Sequence, residues 1–199
     1  MGPGRVGPRL TPGLSAEREE SRPEAWGWGP TPLREEVIMS TATSENTTLT
    51  TRILREGYGP GAWHGADLKA AVAEVSAKVA FWRPGTGRHN IAEIALHHAY
   101  TVHSVRSRLA AAPIEPFVRD GEDWFALNDD RAMPWKKIVE ALDTEQSRLT
   151  DLVAAVASSA AKSPLPEAER FDLILGITCH AVYHAGQIQL IKVLEANAK

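Results

Sequence analysis

The sequence predicts an all-α protein: a four-helix bundle with a long crossover between helices 2 and 3 and a disordered N-terminal extension. Two observations support this prediction. Four segments after residue 53 carry apolar residues at steps of three and four, the period of a helix that buries one face. The link between the first two segments is short, whereas about twenty residues separate the second from the third, and this pattern is typical of a bundle with one crossover.

The chain divides into an extension, residues 1–52, and a bundle, residues 53–199. Residues 1–38 hold 6 of the 15 glycines and 6 of the 13 prolines and show no sustained apolar period, which is the composition of a disordered segment. A run rich in serine and threonine follows Met39. We therefore expect the extension to be disordered and the native chain to begin at Met39.

The first two predicted helices are separated by a break at Arg83, Pro84 and Gly85, because proline disfavours the helical conformation of the residue before it. Asn90 fits the N-cap of the second helix. The first apolar face consists of Leu68, Val72, Val75, Val79 and Trp82, and the second of Ile91, Ile94, Ala95, His98, Val102, Val105 and Leu109.

The long connection spans residues 112–133, and Pro134 fits the first turn of the third helix. A connection of this length predicts that the second and third helices run parallel. Glu145 interrupts the apolar face of the third helix, so it either faces solvent or points at a site. The fourth helix follows the Ser163-Pro-Leu-Pro166 break.

Two histidines of the fourth helix, His180 and His184, lie on its apolar face. At a spacing of four residues their side chains are about 40° apart around the axis and about 6 Å apart along it, so both imidazoles reach one point between helices. A single histidine on such a face is more often a hydrogen-bonded core residue. Two need a metal, water or polar partners, because an unpartnered buried polar group costs about 1 to 3 kcal/mol.

A third metal ligand must come from another helix, and the second helix offers His97 and His98. Periodicity favours His98, which lies in the middle of the apolar face. Three imidazoles leave one position of a tetrahedral metal open, as in catalytic zinc sites. Zinc is the first choice on imidazole ligation, with nickel, iron and manganese as alternatives.

Charge and composition argue against several classes of partner. The net charge is −3 and the sequence pI is about 6.2, which gives no attraction to nucleic acid or to an anionic membrane. The single cysteine, Cys179, cannot form an intramolecular disulfide, and no apolar run reaches the roughly 18 residues of a membrane span. We expect a cytoplasmic protein with a small-molecule substrate.

Several short motifs occur in a fixed order: Trp63-His-Gly, His89-Asn-Ile-Ala-Glu-Ile-Ala-Leu-His97, Asp123-Trp124, and His180-x-x-x-His184-x-Gly-Gln187. With these motifs, the segment of roughly residues 54–194 resembles the DinB/YfiT-like superfamily of metal-binding four-helix bundles. In that family the second-helix ligand stands seven residues after the capping position and precedes an aliphatic residue. Counted from Asn90 this ligand is His97, although His98 follows it here, and the other two ligands match His180 and His184.

The resemblance implies a metal-dependent enzyme, either a transferase that uses a low-molecular-weight thiol or a hydrolase. The alternative is a metal-binding or structural stress-response bundle without turnover. Gln187, Tyr183 and Glu93 are candidate supporting residues, with Gln187 or Tyr183 orienting a ligand or bound water and Glu93 accepting the second ring proton of His97. A homodimer is also implied, and we expect Phe117, Trp124 and Phe125 of the crossover to supply its contacts.

Overall fold

The computed structural model describes residues 49–121 and 123–198, and this part of the chain contains helices and no strand. The predictions for residues 1–48, including disorder and a start at Met39, lie outside the described residues. No helix among those described is long and apolar enough to cross a membrane. The helices are α1 (Leu49–Tyr58), α2 (Leu68–Val72), α3 (Ala77–Ala80), α4 (Ile91–Leu109), α5 (Trp135–Ala157) and α6 (Glu167–Asn197).

Helices α1, α4, α5 and α6 form the four-helix bundle that the sequence predicts. Helix α4 packs against α5 and α6, and α1 packs against α6 and α5. The first half of α4 shares a core cluster with the first half of α5, and the second halves share another. The two helices therefore run parallel, as the long connection predicts, while α6 runs in the opposite direction because its start packs in the second cluster and its end in the first.

The predicted first helix is wrong in two respects. The bundle helix is α1, which starts at Leu49, four residues before the predicted boundary at residue 53. The segment predicted as one helix is split into α2 and α3, because Glu74 has a φ of 58° and Ser76 caps a new helix by accepting from the Val79 amide. Leu68 and Val72 are nevertheless buried, so the apolar period reports which residues face the core even where the helix is interrupted.

The starts of the other helices agree with the sequence. Asn90 caps α4 in a capping box: its side chain accepts from the Glu93 amide at 2.9 Å, and the Glu93 carboxylate accepts from the Asn90 amide at 3.4 Å. Pro134 and Pro166 occupy the N-cap positions of α5 and α6. The starts of α4 and α6 set where His97, His98, His180 and His184 lie along these two helices.

Glu145 neither faces solvent nor points at a site; it forms a buried ion pair between α5 and α4. Its carboxylate accepts from Arg106 Nε at 3.1 Å and Nη2 at 3.0 Å, and the side chains are 6% and 7% exposed. Glu115 of the crossover binds the same guanidinium. Burial alone would lower the pKa of Arg106, but its bonds to Glu115 and Glu145 raise it, so Arg106 stays charged.

We predict that Glu145→Ala lowers the free energy of unfolding by about 3 kcal/mol, because a buried guanidinium would lose its buried partner. Urea denaturation measures this change. Glu115→Ala is the matched control and should have a smaller effect, since Glu115 lies at the exposed edge of the network. Equal losses of unfolding free energy in the two variants would contradict the larger contribution assigned to the buried Glu145.

Candidate metal centre

Two helices bring three histidines to one point. His97 lies about two turns after the Asn90 cap of α4, and His180 and His184 lie one turn apart on α6. His97 and His184 are buried and His180 is half-buried. One ring nitrogen from each histidine lies within 4.8 Å of those from the other two.

The Nε2 atoms of the three rings converge. Nε2 of His180 is 3.1 Å from Nε2 of His97 and 3.1 Å from Nε2 of His184. Tetrahedral zinc with Zn–N bonds of 2.0 to 2.1 Å separates its nitrogen ligands by about 3.3 Å. The observed spacing therefore fits three imidazole ligands of one divalent metal ion.

The opposite ring nitrogens of His97 and His184 are held by hydrogen bonds. Nδ1 of His184 donates to Oε1 of Gln187 at 2.6 Å. Nδ1 of His97 donates to the backbone oxygen of Asp123, at 3.1 Å, and also lies 3.0 Å from its carboxylate. A neutral imidazole that donates through Nδ1 presents a lone pair at Nε2, so both rings are set to bind metal through the converging atoms.

His98 lies behind His180 and outside the converging set. Its Nδ1 is 2.8 Å from Nδ1 of His180, its side chain is fully buried, and its Nε2 has no hydrogen-bond partner among the described residues. Helical periodicity, which favoured His98 as the third ligand, therefore selected a buried residue outside the cluster, whereas the family resemblance selected His97, which lies in it.

The direction of the bond between the Nδ1 atoms decides what His180 presents. If Nδ1 of His180 donates to Nδ1 of His98, then Nε2 of His180 carries a lone pair and joins the other two. In the opposite direction, Nε2 of His180 would carry a proton that points into the cluster. His98 is thus the acceptor required for a three-nitrogen site.

Burial keeps these rings neutral. It lowers the pKa of His180 to about 4, with further lowering by His184 and His97. It also lowers the pKa of His184 to about 4, although the bond to Gln187 opposes the shift. The pKa of His97 is lowered for the same reason, against the opposing effect of Asp123. Neutral imidazole is the form that binds metal, so the folded chain favours metal binding.

The crossover covers one side of the cluster with an aromatic stack. The indole of Trp124 lies between the rings of His97 and His89, with centroid distances of 3.9 and 3.7 Å and interplanar angles of 7° and 13°. Asp123, the preceding residue, holds His97. No separate role was expected for Asp123, and its signal in the sequence was the Asp123-Trp124 motif itself.

The three candidate supporting residues, Gln187, Tyr183 and Glu93, lie in different positions relative to the cluster. Gln187 accepts a hydrogen bond from Nδ1 of His184. Tyr183 packs its ring 5.2 Å from that of His184, and its side chain is 63% exposed. Glu93 does not hold the second ring proton of His97, because Asp123 takes that position.

Glu93 instead binds Arg83, His89 and the Leu127 amide. Burial alone would raise the pKa of this carboxyl, but these bonds outweigh it and hold the pKa below its ordinary value. Glu93 therefore remains ionised and anchors the crossover to the start of α4, which supports the site indirectly.

Comparison with known proteins agrees with this architecture. The family model of the DinB superfamily matches residues 62–188, more than half of the chain, and this range includes all three cluster histidines and the crossover. No curated protein and no solved structure matches the chain. On the strength of the family match, the chain belongs to the DinB superfamily.

Proposed function

We propose that this protein binds one divalent metal ion, zinc in the first instance, through His97, His180 and His184, and is a metal-dependent enzyme. The observation that carries the proposal is the convergence of three Nε2 atoms, with that of His180 lying 3.1 Å from each of the other two, and a hydrogen-bond partner behind each ring. Three protein ligands leave a tetrahedral ion one position for an exogenous group, which is the pattern of catalytic rather than structural zinc.

A metal at this site would supply Lewis acidity and lower the pKa of a water or thiol at its open position. The chain's own residues orient the ligands. Asp123 and Gln187 hold the Nδ1 protons of His97 and His184, and Trp124 shields one face of His97. This arrangement suits a transferase that activates a low-molecular-weight thiol or a hydrolase that activates water, and the two differ only in the nucleophile.

The proposal is tested by elemental analysis of protein purified without added metal, which should give one metal ion per chain. The metal-loaded protein is then assayed with thiols plus electrophiles, and separately with esters and amides. Turnover that disappears in His184→Ala supports the enzyme. Stoichiometric metal without turnover on either substrate class would support the non-catalytic alternative, and protein purified without metal would overturn the site itself.

The neighbouring histidines of α4 provide a sharp comparison. His97→Ala should abolish tight metal binding, because it removes one of three converging nitrogens, and isothermal titration with zinc measures the loss. His98→Ala should bind metal more tightly than His97→Ala does but unfold at a lower denaturant concentration. Full metal stoichiometry in His97→Ala combined with loss in His98→Ala would reverse the assignment.

The role of His98 can be separated from its packing by two variants. Asparagine places its side-chain oxygen close to the position of Nδ1, so His98→Asn should retain the acceptor for Nδ1–H of His180. His98→Leu fills the space without an acceptor, and its zinc affinity should fall by about 10- to 100-fold, the usual effect of losing a group that orients a ligand. Equal affinities in the two variants would show that His98 acts through packing alone.

The lowered pKa values predict how the metal-free protein responds to acid. A histidine of the unfolded chain has a pKa of about 6.5, whereas the pKa values of His180 and His184 in the folded chain are about 4. Between these values the unfolded state binds more protons, so stability present above pH 6.5 is lost as the pH falls towards 4.

Urea unfolding of chelator-treated protein at pH 7, 6 and 5 measures this loss. The double variant His180→Ala/His184→Ala should show a flatter dependence on pH, since two of the responsible groups are gone. An unchanged slope in that variant would contradict the assignment of the effect to the cluster.

A further inference from the structure

A groove lies beside the candidate metal centre, between the first half of α4 and the second half of α6. The turn of residues 83–89, which precedes α4, forms its third wall. We call it the α4–α6 groove. Its volume is about 590 Å³, within the roughly 300 to 1,000 Å³ of small-molecule sites.

Gln187 connects the groove to the metal centre. This residue lines the groove, and its Oε1 accepts from Nδ1 of His184 at 2.6 Å. At 1.5 Å per residue, Gln187 and Leu194 lie about 4.5 and 15 Å beyond His184 along α6. A molecule that follows the groove therefore has one end at a residue that orients a candidate metal ligand and the other end about 10 Å away.

The walls of the groove are mainly apolar. Ile94 of α4 and Ile191 of α6 are buried, whereas Leu190 and Leu194 are 59% and 44% exposed at its opening. An apolar molecule in the groove would remove these two leucine side chains from water, which is favourable in proportion to the area covered. The groove therefore suits a ligand with an apolar body.

Arg88 adds a positive charge whose backbone is fixed and whose side chain is unused. Its amide donates to the Gly85 carbonyl at 3.1 Å, and its own carbonyl accepts from Nη1 of Arg83. The Arg88 guanidinium makes no hydrogen bond or ion pair with the residues that the structure describes. Arg83, on the same turn, is used differently, since its Nη2 donates to the Glu93 carboxylate at 2.6 Å.

Nothing in the groove neutralises Arg88. The described residues that line it include no aspartate or glutamate. His89 also lines it, but its Nδ1 is bonded to the ionised Glu93 at 3.0 Å. A guanidinium pairs with a carboxylate through two parallel hydrogen bonds, so the unmatched charge of Arg88 is complementary to a carboxylate.

The charge lies towards the end of the groove that is remote from the metal centre. Helix α4 begins at Ile91, which is about 9 Å before His97 along the helix axis, and Arg88 precedes that start. A carboxylate on Arg88 is therefore separated from the metal centre by the apolar part of the groove.

We propose that the α4–α6 groove binds a small carboxylic acid with an apolar body, its carboxylate on Arg88 and its opposite end beside Gln187. The identification of this molecule as the substrate rests on the proposed metal enzyme. In that enzyme, the reacting group is the end beside Gln187, and the remote carboxylate positions it.

Isothermal titration of the full chain, as purified, tests the groove with octanoate and with 1-octanol as its uncharged counterpart. Octanoate should bind about 5-fold more tightly than octanol, the size expected for an ion pair at a solvent-exposed opening. Arg88→Gln should remove this difference and Arg88→Lys should retain part of it. Leu190→Ser should weaken both probes, since both place their chain on the same wall.

Arg108→Gln is the matched control, because Arg108 is exposed at the other end of α4 and does not line the groove. It makes the same change of net charge and should leave the affinity for octanoate as in the wild type. Equal octanoate affinities in Arg88→Gln and Arg108→Gln, or no effect of Leu190→Ser on either probe, would overturn the proposal.

Chelator treatment separates binding in the groove from binding to a metal ion. The effect of Arg88→Gln on octanoate affinity should persist after chelation, whereas loss of octanoate binding on chelation would put the carboxylate on the metal and overturn the groove. The metal site is judged separately by elemental analysis. Protein without metal that still binds octanoate through Arg88 would overturn the metal site and support the groove.

The assignment of the acid as substrate is tested in the substrate class that turns over. Substrates with a remote carboxylate are compared with the methyl esters of the same carboxylate. The free acids should have a kcat/KM about 5-fold higher, and Arg88→Gln should lose this preference while Arg108→Gln keeps it. Equal kcat/KM values for acid and methyl ester in the wild type would overturn the assignment.

Discussion

The structure depends most on three imidazoles whose Nε2 atoms converge at one point inside the bundle. When each ring is protonated at its other nitrogen, three lone pairs meet at that point and repel each other, so the arrangement requires a partner behind every ring and favours a cation in front. Each partner comes from a different part of the chain. The crossover supplies Asp123, α6 supplies Gln187 and α4 supplies His98. The hydrogen bonds behind the rings therefore explain the convergence as much as the histidines themselves.

The crossover links the fold to the site. Parallel α4 and α5 need a long connection, and this connection is bonded back to the start of α4 at two points. The Asn90 side chain donates to the Leu127 carbonyl at 2.7 Å, and the Glu93 carboxylate accepts from the Leu127 amide at 3.0 Å. These bonds hold the segment that carries Asp123 and Trp124. The same residues that begin α4 thus fix the loop that orients His97.

Much of this was predictable from sequence, and the exceptions have physical causes. The starts of α4 and α6 were predicted because Asn90 and Pro166 are strong local signals. The first helix was not, because the left-handed conformation of Glu74 leaves no trace in the apolar period. Periodicity alone favoured His98 as the third ligand, since it reports which residues are buried and not where a side chain points. The contacts of Asp123 depend on how the crossover folds back, which no local pattern specifies.

The central claim is that His97, His180 and His184 form one metal site with an open position. X-ray absorption at the metal edge, on protein purified without added metal, tests it most directly. Our account predicts one metal per chain with three imidazole nitrogens at about 2.0 to 2.1 Å and one further light atom. A coordination shell with a fourth imidazole, or with fewer than three, would contradict the account.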